Sequence, residues 1–326
     1  MRNRSFAVLA LSLLLAGCTS FQPLSLEKEK NAFSAKGIEG NVVQANLERT
    51  LAVLSGKEPL PDGTSLSERA SAEAKRKVRD FLVDAFGILG CTLERQAYKT
   101  GENLLFTLPA ASPSLDYVLI GAHYDTVRCA GADDNGSATA AVLESARVLA
   151  GLSGRKVNLL FAFFDEEEKG LLGSTAMARE LKKRALNVLA VHTLDMVGFD
   201  GDGDGVIEVE RPDGVLWAYY QQSAKSHSLK SPLFRTNAGS TDHDAFRAAG
   251  FPSVGLCEEW TGGDTTPFYH RAGDTYATVN FAFLTAVTRL LVATAGDQAL
   301  SVPPPAGIRV IAHDLFPGRE RTFLPF

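Results

Sequence analysis

The 326-residue chain has little of several things: four cysteines, three methionines and two tryptophans. It has no long basic run and no Gly-x-Ser-x-Gly elbow. Each absence removes a class of protein. Without a basic stripe, and with a formal charge of -5 and a pI near 5.8, nucleic acid is excluded as a partner. Without the elbow, a Ser–His–Asp hydrolase reading has no anchor. No internal repeat or low-complexity block is present. What remains is ordinary for a globular chain, 45% hydrophobic and 22% charged residues, long enough for one large domain or two small ones.

The N-terminus departs from this average. "MRNR" carries positive charge, and "FAVLALSLLLAG" is apolar but too short to span a bilayer. Ala16, Gly17 and Cys18 follow, so residues 1–17 read as a secretory signal peptide. The stretch "LLAGC" resembles the lipobox of bacterial lipoproteins. That resemblance implies cleavage before Cys18 and lipidation of its thiol, holding the protein at a membrane surface. Thr19 in place of aspartate favours the outer membrane, facing the periplasm of the bacterial cell envelope. Residues 18–35 are then a polar tether. Cys91, Cys129 and Cys257 remain. An oxidising compartment allows two of them to pair, with Cys129–Cys257 favoured, although sequence alone does not fix connectivity.

Apolar periodicity organises the rest. "SLSERASAEAKRKVRDFLVDAFG" reads as a capped amphipathic helix, with Ala74, Val78, Phe81, Leu82 and Ala85 on one face. "DYVLIGAH", "VNLLFAFF", "NVLAVHTL" and "FPSVGLC" read as strands apolar on both faces, as a sheet covered on both sides requires. Helical stretches alternate with them, and "TVNFAFLTAVTRLLVATAGDQAL" closes the set. The expectation is an α/β fold of three layers (α-β-α), its mixed, mostly parallel sheet flanked by helices, over residues 36–300. Residues 301–326 form a proline-opened tail.

In such sheets ligands bind beyond the carboxyl ends of the strands. There the first run ends at His123 and Asp125, the second at Asp165 to Glu168, and the third at Asp195. A single strand-end acid is usually just solvated. Three coinciding, with a histidine, point to a metal. "GADDNGSATAAVLE" adds Asp133 and Asp134 in a loop where an N-cap is the plain alternative, and "PFYHRAGDT" adds His270 and Asp274.

The ordered set "GAHYDT", "GADDNGSA", "EEKGLLGS", "LDMVG" and "FYHRAGDT", from about residue 117 to residue 280, closely resembles the co-catalytic zinc exopeptidases. That family includes aminopeptidases, glutamate-carboxypeptidase-like enzymes and glutaminyl cyclases. The resemblance implies two zinc ions per chain bridged by Asp134, one also held by His123 and Asp195, the other by Glu168 and His270. It makes Glu167 the general base and gives Asp125 the second ring proton of His123. Asp165 and Glu166 are left over as a solvated strand end. The donor set suits zinc independently, since imidazole with carboxylate leaves positions for water and substrate.

Other polar residues carry weaker signals. Asp242 and His243 tempt as a metal pair, but "YH" matches the last ligand, so His243 is expected to line the pocket. His192 sits in an apolar strand and reads as a satisfied core histidine, and His227 and His313 as surface residues. Asp200, Asp202 and Asp204 match the first half of a calcium loop, but Arg211 stands where a bidentate glutamate belongs, and an acidic turn is the plainer reading. The expected activity is removal of N-terminal residues from peptides, with Glu258 and Glu259 as candidates to meet the substrate amine. The alternatives are a glutaminyl cyclase, a carboxypeptidase using Arg235 or Arg271, or a non-catalytic binding lipoprotein.

Overall fold

The computed structural model describes residues 36–301. The expected signal peptide, Cys18, the expected tether, His313 and the rest of the expected tail beyond residue 301 lie outside them. Two helices open the described chain, α1 (Gln44–Leu54) and α2 (Ala72–Phe86). The Ser71 hydroxyl caps α2 by accepting from the Ala74 amide. Eight strands then form one sheet: β1 (Thr92–Ala97), β2 (Glu102–Leu108), β3 (Asp116–His123), β4 (Asn158–Phe164), β5 (Asn187–Leu194), β6 (Ile207–Glu210), β7 (Leu233–Thr236) and β8 (Ser253–Cys257). Their spatial order is β1-β2-β4-β3-β5-β8-β6-β7. The four expected strands make a parallel core, β4-β3-β5-β8. The β1–β2 hairpin adds to it antiparallel on one side. On the other side β6 joins β8 antiparallel and carries a parallel β7.

The remaining helices are α3 (Ala138–Ala150), α4 (Leu172–Lys183), α5 (Gly214–Ser226), α6 (Asp242–Ala248) and α7 (Phe281–Leu300). Strand β4 shows why three layers form. All seven of its residues are buried. Phe161 and Phe163 face the larger core with α2, α3 and α7, while Leu160, Ala162 and Phe164 face the smaller core under α4 and α6. Phe86 of α2 stacks on Phe106 with ring centroids 4.0 Å apart and meets Phe163 edge-on at 5.6 Å. Each such phenylalanine contributes about 1.5–3 kcal/mol by leaving water. No helix among the described residues is long and apolar enough to cross a membrane.

Strand order also fixes where chemistry can occur. From β3 the chain passes to β4 on one side and then to β5 on the other, which makes the carboxyl end of β3 the switch point of the sheet. His123 is the last residue of β3.

Three expectations need correction. Cys129 and Cys257 are both free thiols, so the Cys129–Cys257 pair does not form. His227 is not a surface residue. Its side chain is 2% exposed, with Nδ1 at 2.5 Å from Glu39 and Nε2 at 3.1 Å from Asp297 of α7. His243 does not line an open pocket: it is fully buried, its Nδ1 against the Thr241 hydroxyl at 2.8 Å. His192 is a core residue bonded to Tyr220 and Gln298, and burial pushes its pKa down to about 4.

The His227 contact has a pH signature. Burial works against a charged ring, but hydrogen bonds and charges from Asp297 and Glu39 outweigh it and raise the pKa. A histidine raised in the folded state adds stability that is complete below its unfolded value, about 6.5, and lost as pH rises through the folded value. His227→Gln should therefore lower Tm at pH 6 by about 2–4 °C and by less at pH 9. Thermal melts at both pH values check this, and equal shifts would contradict it.

Candidate metal centre

The loop from β3 to α3 brings in the first two groups. His123 stands on the strand end, and Thr139 at the start of α3 donates to its carbonyl at 3.0 Å. Asp134 lies in the tight segment Ala132–Ser137, entered through Gly131 at φ 56. A Cβ at Gly131 would lie 2.4 Å from the Asp134 carbonyl, so glycine is required there. Asp274 pins the segment from the far side, accepting from the Asp133 amide at 2.7 Å and the Asp134 amide at 3.1 Å. Asn135 ties it to the end of β5 through the Leu194 carbonyl at 2.9 Å. Beneath it, fully buried Arg69 donates to the carbonyls of Tyr124, Ala130 and Gly131 at 2.7–2.8 Å. Sequence reasoning missed Arg69, which sits between the two opening helices and far from any motif.

The turn after β4 supplies the next pair. Glu166 adopts the left-handed region at φ 59, and the chain swings Glu167 and Glu168 over the strand ends. Asp165 and Glu166 are not a solvated end, because both are buried and paired with cations. Asp195 follows β5, its amide bonded to the Leu256 carbonyl at 3.0 Å. His270 comes from a separate loop.

These side chains converge. His123 Nε2 lies 3.3 Å from Asp195 Oδ1 and 3.5 Å from Asp134 Oδ1. His270 Nε2 lies 3.2 Å from Asp134 Oδ2 and 2.9 Å from Glu168 Oε2. Asp134 thus turns one oxygen to each histidine. Potential ligand atoms of His123, Asp134 and Asp195 lie within 4.8 Å of one another, as do those of Asp134, Glu168 and His270. A third grouping, His123 with Glu167 and Glu168, overlaps both. Imidazole and carboxylate at this spacing fit a pair of divalent ions of the zinc type.

Asp125 takes a different contact from the one expected. His123 Nδ1 lies 3.2 Å from the Asp125 carbonyl and 3.5 Å from its carboxylate. The carboxylate instead accepts from the Glu167 amide at 3.1 Å. It therefore supports both the histidine and the turn bearing Glu167.

So many acids in a covered space perturb one another. Burial first, then the charges of Asp195 and Asp242, pushes Glu167 up to about 10. Burial and Asp134 push Glu168 up to about 7. Burial raises Asp195. Burial alone would lower His123, but Asp195 and Glu167 beside it hold it well above its ordinary range. Such mutual strain among carboxylates is what divalent cations relieve.

Tyr269 was overlooked in the sequence. Its ring stacks on His270 with centroids 3.8 Å apart and meets Trp260 at 5.2 Å. Burial, then Asp134, Asp195, Glu168 and Glu167, raises its pKa, so the phenol stays a proton donor at the mouth of the cluster.

Other candidates have different surroundings. Glu258 is fully buried, accepting from the amides of Phe199 and Thr266 and the Thr265 hydroxyl, and cannot meet a substrate amine. In the acidic turn the three carboxylates that approach one another belong to Asp200, Asp202 and Asp264, not Asp204. Asp204 accepts from the Val206 amide instead. Arg235 and Arg271 donate to the carbonyls of Pro212 and Pro267.

Comparison with known proteins gives the chain a family. A family model described as peptidase family M28 matches residues 103–295. A probable leucine aminopeptidase of Trichophyton verrucosum is 30% identical over 239 residues, 68% of this chain and 62% of that protein, so the chain spans about six tenths of its length. The structure of BSAP, a zinc aminopeptidase from Bacillus subtilis, is 29% identical with a TM-score of 0.55, covering 60% of this chain and 49% of that one. The LapA aminopeptidase of Legionella pneumophila, at 22% identity and a TM-score of 0.72 over 82% of this chain and 75% of that one, shares the fold. With the match covering more than half its residues, the chain belongs to peptidase family M28.

Proposed function

We propose that the protein is a two-zinc aminopeptidase that removes N-terminal residues from peptides. The observation that carries this reading is Asp134, whose two oxygens face two separate histidine groups. His123, Asp134 and Asp195 would hold one ion, and Asp134, Glu168 and His270 the other. When bound, the ions supply Lewis acidity and lower the pKa of water towards about 7.

The chain's own groups do the rest. Glu167 takes the proton of the attacking water and returns it to the leaving amine. The hydrogen bond from its backbone N–H to the Asp125 carboxylate keeps its backbone fixed while the proton moves. The Tyr269 phenol donates to the carbonyl oxygen as negative charge develops there. Tyr269→Phe should therefore lower kcat by roughly 10²-fold while metal content holds, as steady-state kinetics with metal analysis would show.

Calcium is not part of this reading. The acidic loop closes on its own backbone, with Asp200 accepting from the amides of Gly203 and Gly205 and Asp264 from those of Gly201 and Asp202. The lipobox-like "LLAGC" supports anchoring through Cys18 at the periplasmic face of the outer membrane.

The zinc-loaded protein incubated with a mixed peptide library tests the activity. Loss of N-terminal residues, abolished by N-acetylation, is expected. Loss from the carboxyl end, or release of ammonia from glutaminyl peptides without shortening, would replace the reading with a carboxypeptidase or a cyclase.

A further inference from the structure

Lys75 of α2 is buried, its side chain 7% exposed, with Nζ at 2.7 Å from Asp165 Oδ1 and 3.6 Å from Glu166 Oε1. Lysine is rarely covered this fully. It precedes residue 103, where the family match begins. We propose that Lys75 is a positioning residue for the base: it fixes Asp165 and Glu166, and through them the direction in which Glu167 leaves β4.

Asp165 is held on every side. Its amide donates to Asn103 at 2.9 Å, and its carbonyl accepts from the Tyr98 hydroxyl at 2.9 Å. Oδ2 accepts from the Glu102 amide at 3.2 Å and lies 3.7 Å from Arg79. A Cβ at Gly173 would lie 2.2 Å from its carbonyl oxygen, so α4 packs directly on the turn. Lys75 supplies the contact to Oδ1. The next residue, Glu166, adopts a left-handed conformation that a non-glycine residue keeps only when its surroundings impose it. Its carboxylate is shared among Lys75, Lys169 and the Thr100 hydroxyl. Glu167 follows with no residue between.

Stability alone explains Lys75 poorly. A buried ion pair roughly breaks even against an apolar pair of the same shape, because desolvation offsets the attraction. Geometry explains it better, since a displacement of about 1 Å at a reacting group can cost about 10²-fold in rate.

The proposal rests on Glu167 being the base, and the test separates the two claims. In the zinc-loaded full chain, Lys75→Met should lower kcat by roughly 10- to 10²-fold, with KM within about twofold and metal per chain unchanged. In a Glu167→Gln background the same substitution should add almost nothing, since the two residues act as one unit. If Lys75→Met does not fold, Lys75→Met with Asp165→Asn removes both buried charges and is judged by the same readouts. Unchanged kcat in a folded, loaded variant would overturn the proposal, as would an equal loss in both backgrounds. Metal lost in step with activity would place the effect on Glu168 and overturn it too. Full activity of Glu167→Gln by itself would instead refute the base assignment.

Discussion

Glu167→Gln should lower kcat by roughly 10²- to 10⁴-fold, the range for losing a general base, and leave metal content unchanged. The two groups that share Asp134 contain His123, Asp195, Glu168 and His270 but not Glu167, which approaches only His123 and Glu168, in the third grouping. The Glu167 carboxylate stands 3.9 Å from His123 Nε2, farther than Asp195 or Asp134 from the same atom. Glutamine keeps the shape and the backbone bond to Asp125, and removes only the capacity to accept a proton. KM should move little, because substrate binding does not require that proton. Stopped-time assays on metal-analysed protein decide the matter. Retained metal with a full rate would move the base elsewhere, and lost metal would make Glu167 a ligand.

The second large effect concerns Asp134. Asp134→Ala should abolish activity and take metal content well below that of the parent, because both histidine groups lose a member. Asp195→Ala should retain about one ion per chain, since Asp134, Glu168 and His270 remain within reach of one another. Thermal melts give a second reading. An ion that binds only the folded state stabilises it by about 2.7 kcal/mol at 100 times Kd. The parent should melt higher as zinc is added, Asp134→Ala should not, and Asp195→Ala should respond partially. Equal metal content in the two variants would show that Asp134 does not bridge.

What the sequence showed, and what it hid, follows from the range of the interactions. His123 and Asp195 were readable because each ends an apolar run, and the edge where such runs end is where sites form. Choosing Asp134 over Asp133, and Glu167 with Glu168 out of four consecutive acids, needed the family resemblance. Asp165 and Glu166 were misread because acids at a strand end are normally wet, and the cation that covers them lies about ninety positions upstream on α2. Asp264 displaced Asp204 for a similar reason, since a carboxylate brought in by a distant loop carries no local signal. The edge strand β1 mixes exposed and half-buried residues, so it lacked the apolar run that exposed β3, β4 and β5. Tyr269 was hidden by its neighbour, because "YH" drew the eye to the ligand and not to the ring stacked on it.

The opening helices have a practical consequence for anyone trimming the gene. A fragment cut at residue 103 would coincide with the recognised family segment and still omit Arg69, Lys75 and the Phe86 stack. Such a product would carry every proposed ligand yet lack the guanidinium beneath one loop and the ammonium beneath the other. Expression boundaries are better set ahead of Ile38, whose side chain is fully enclosed.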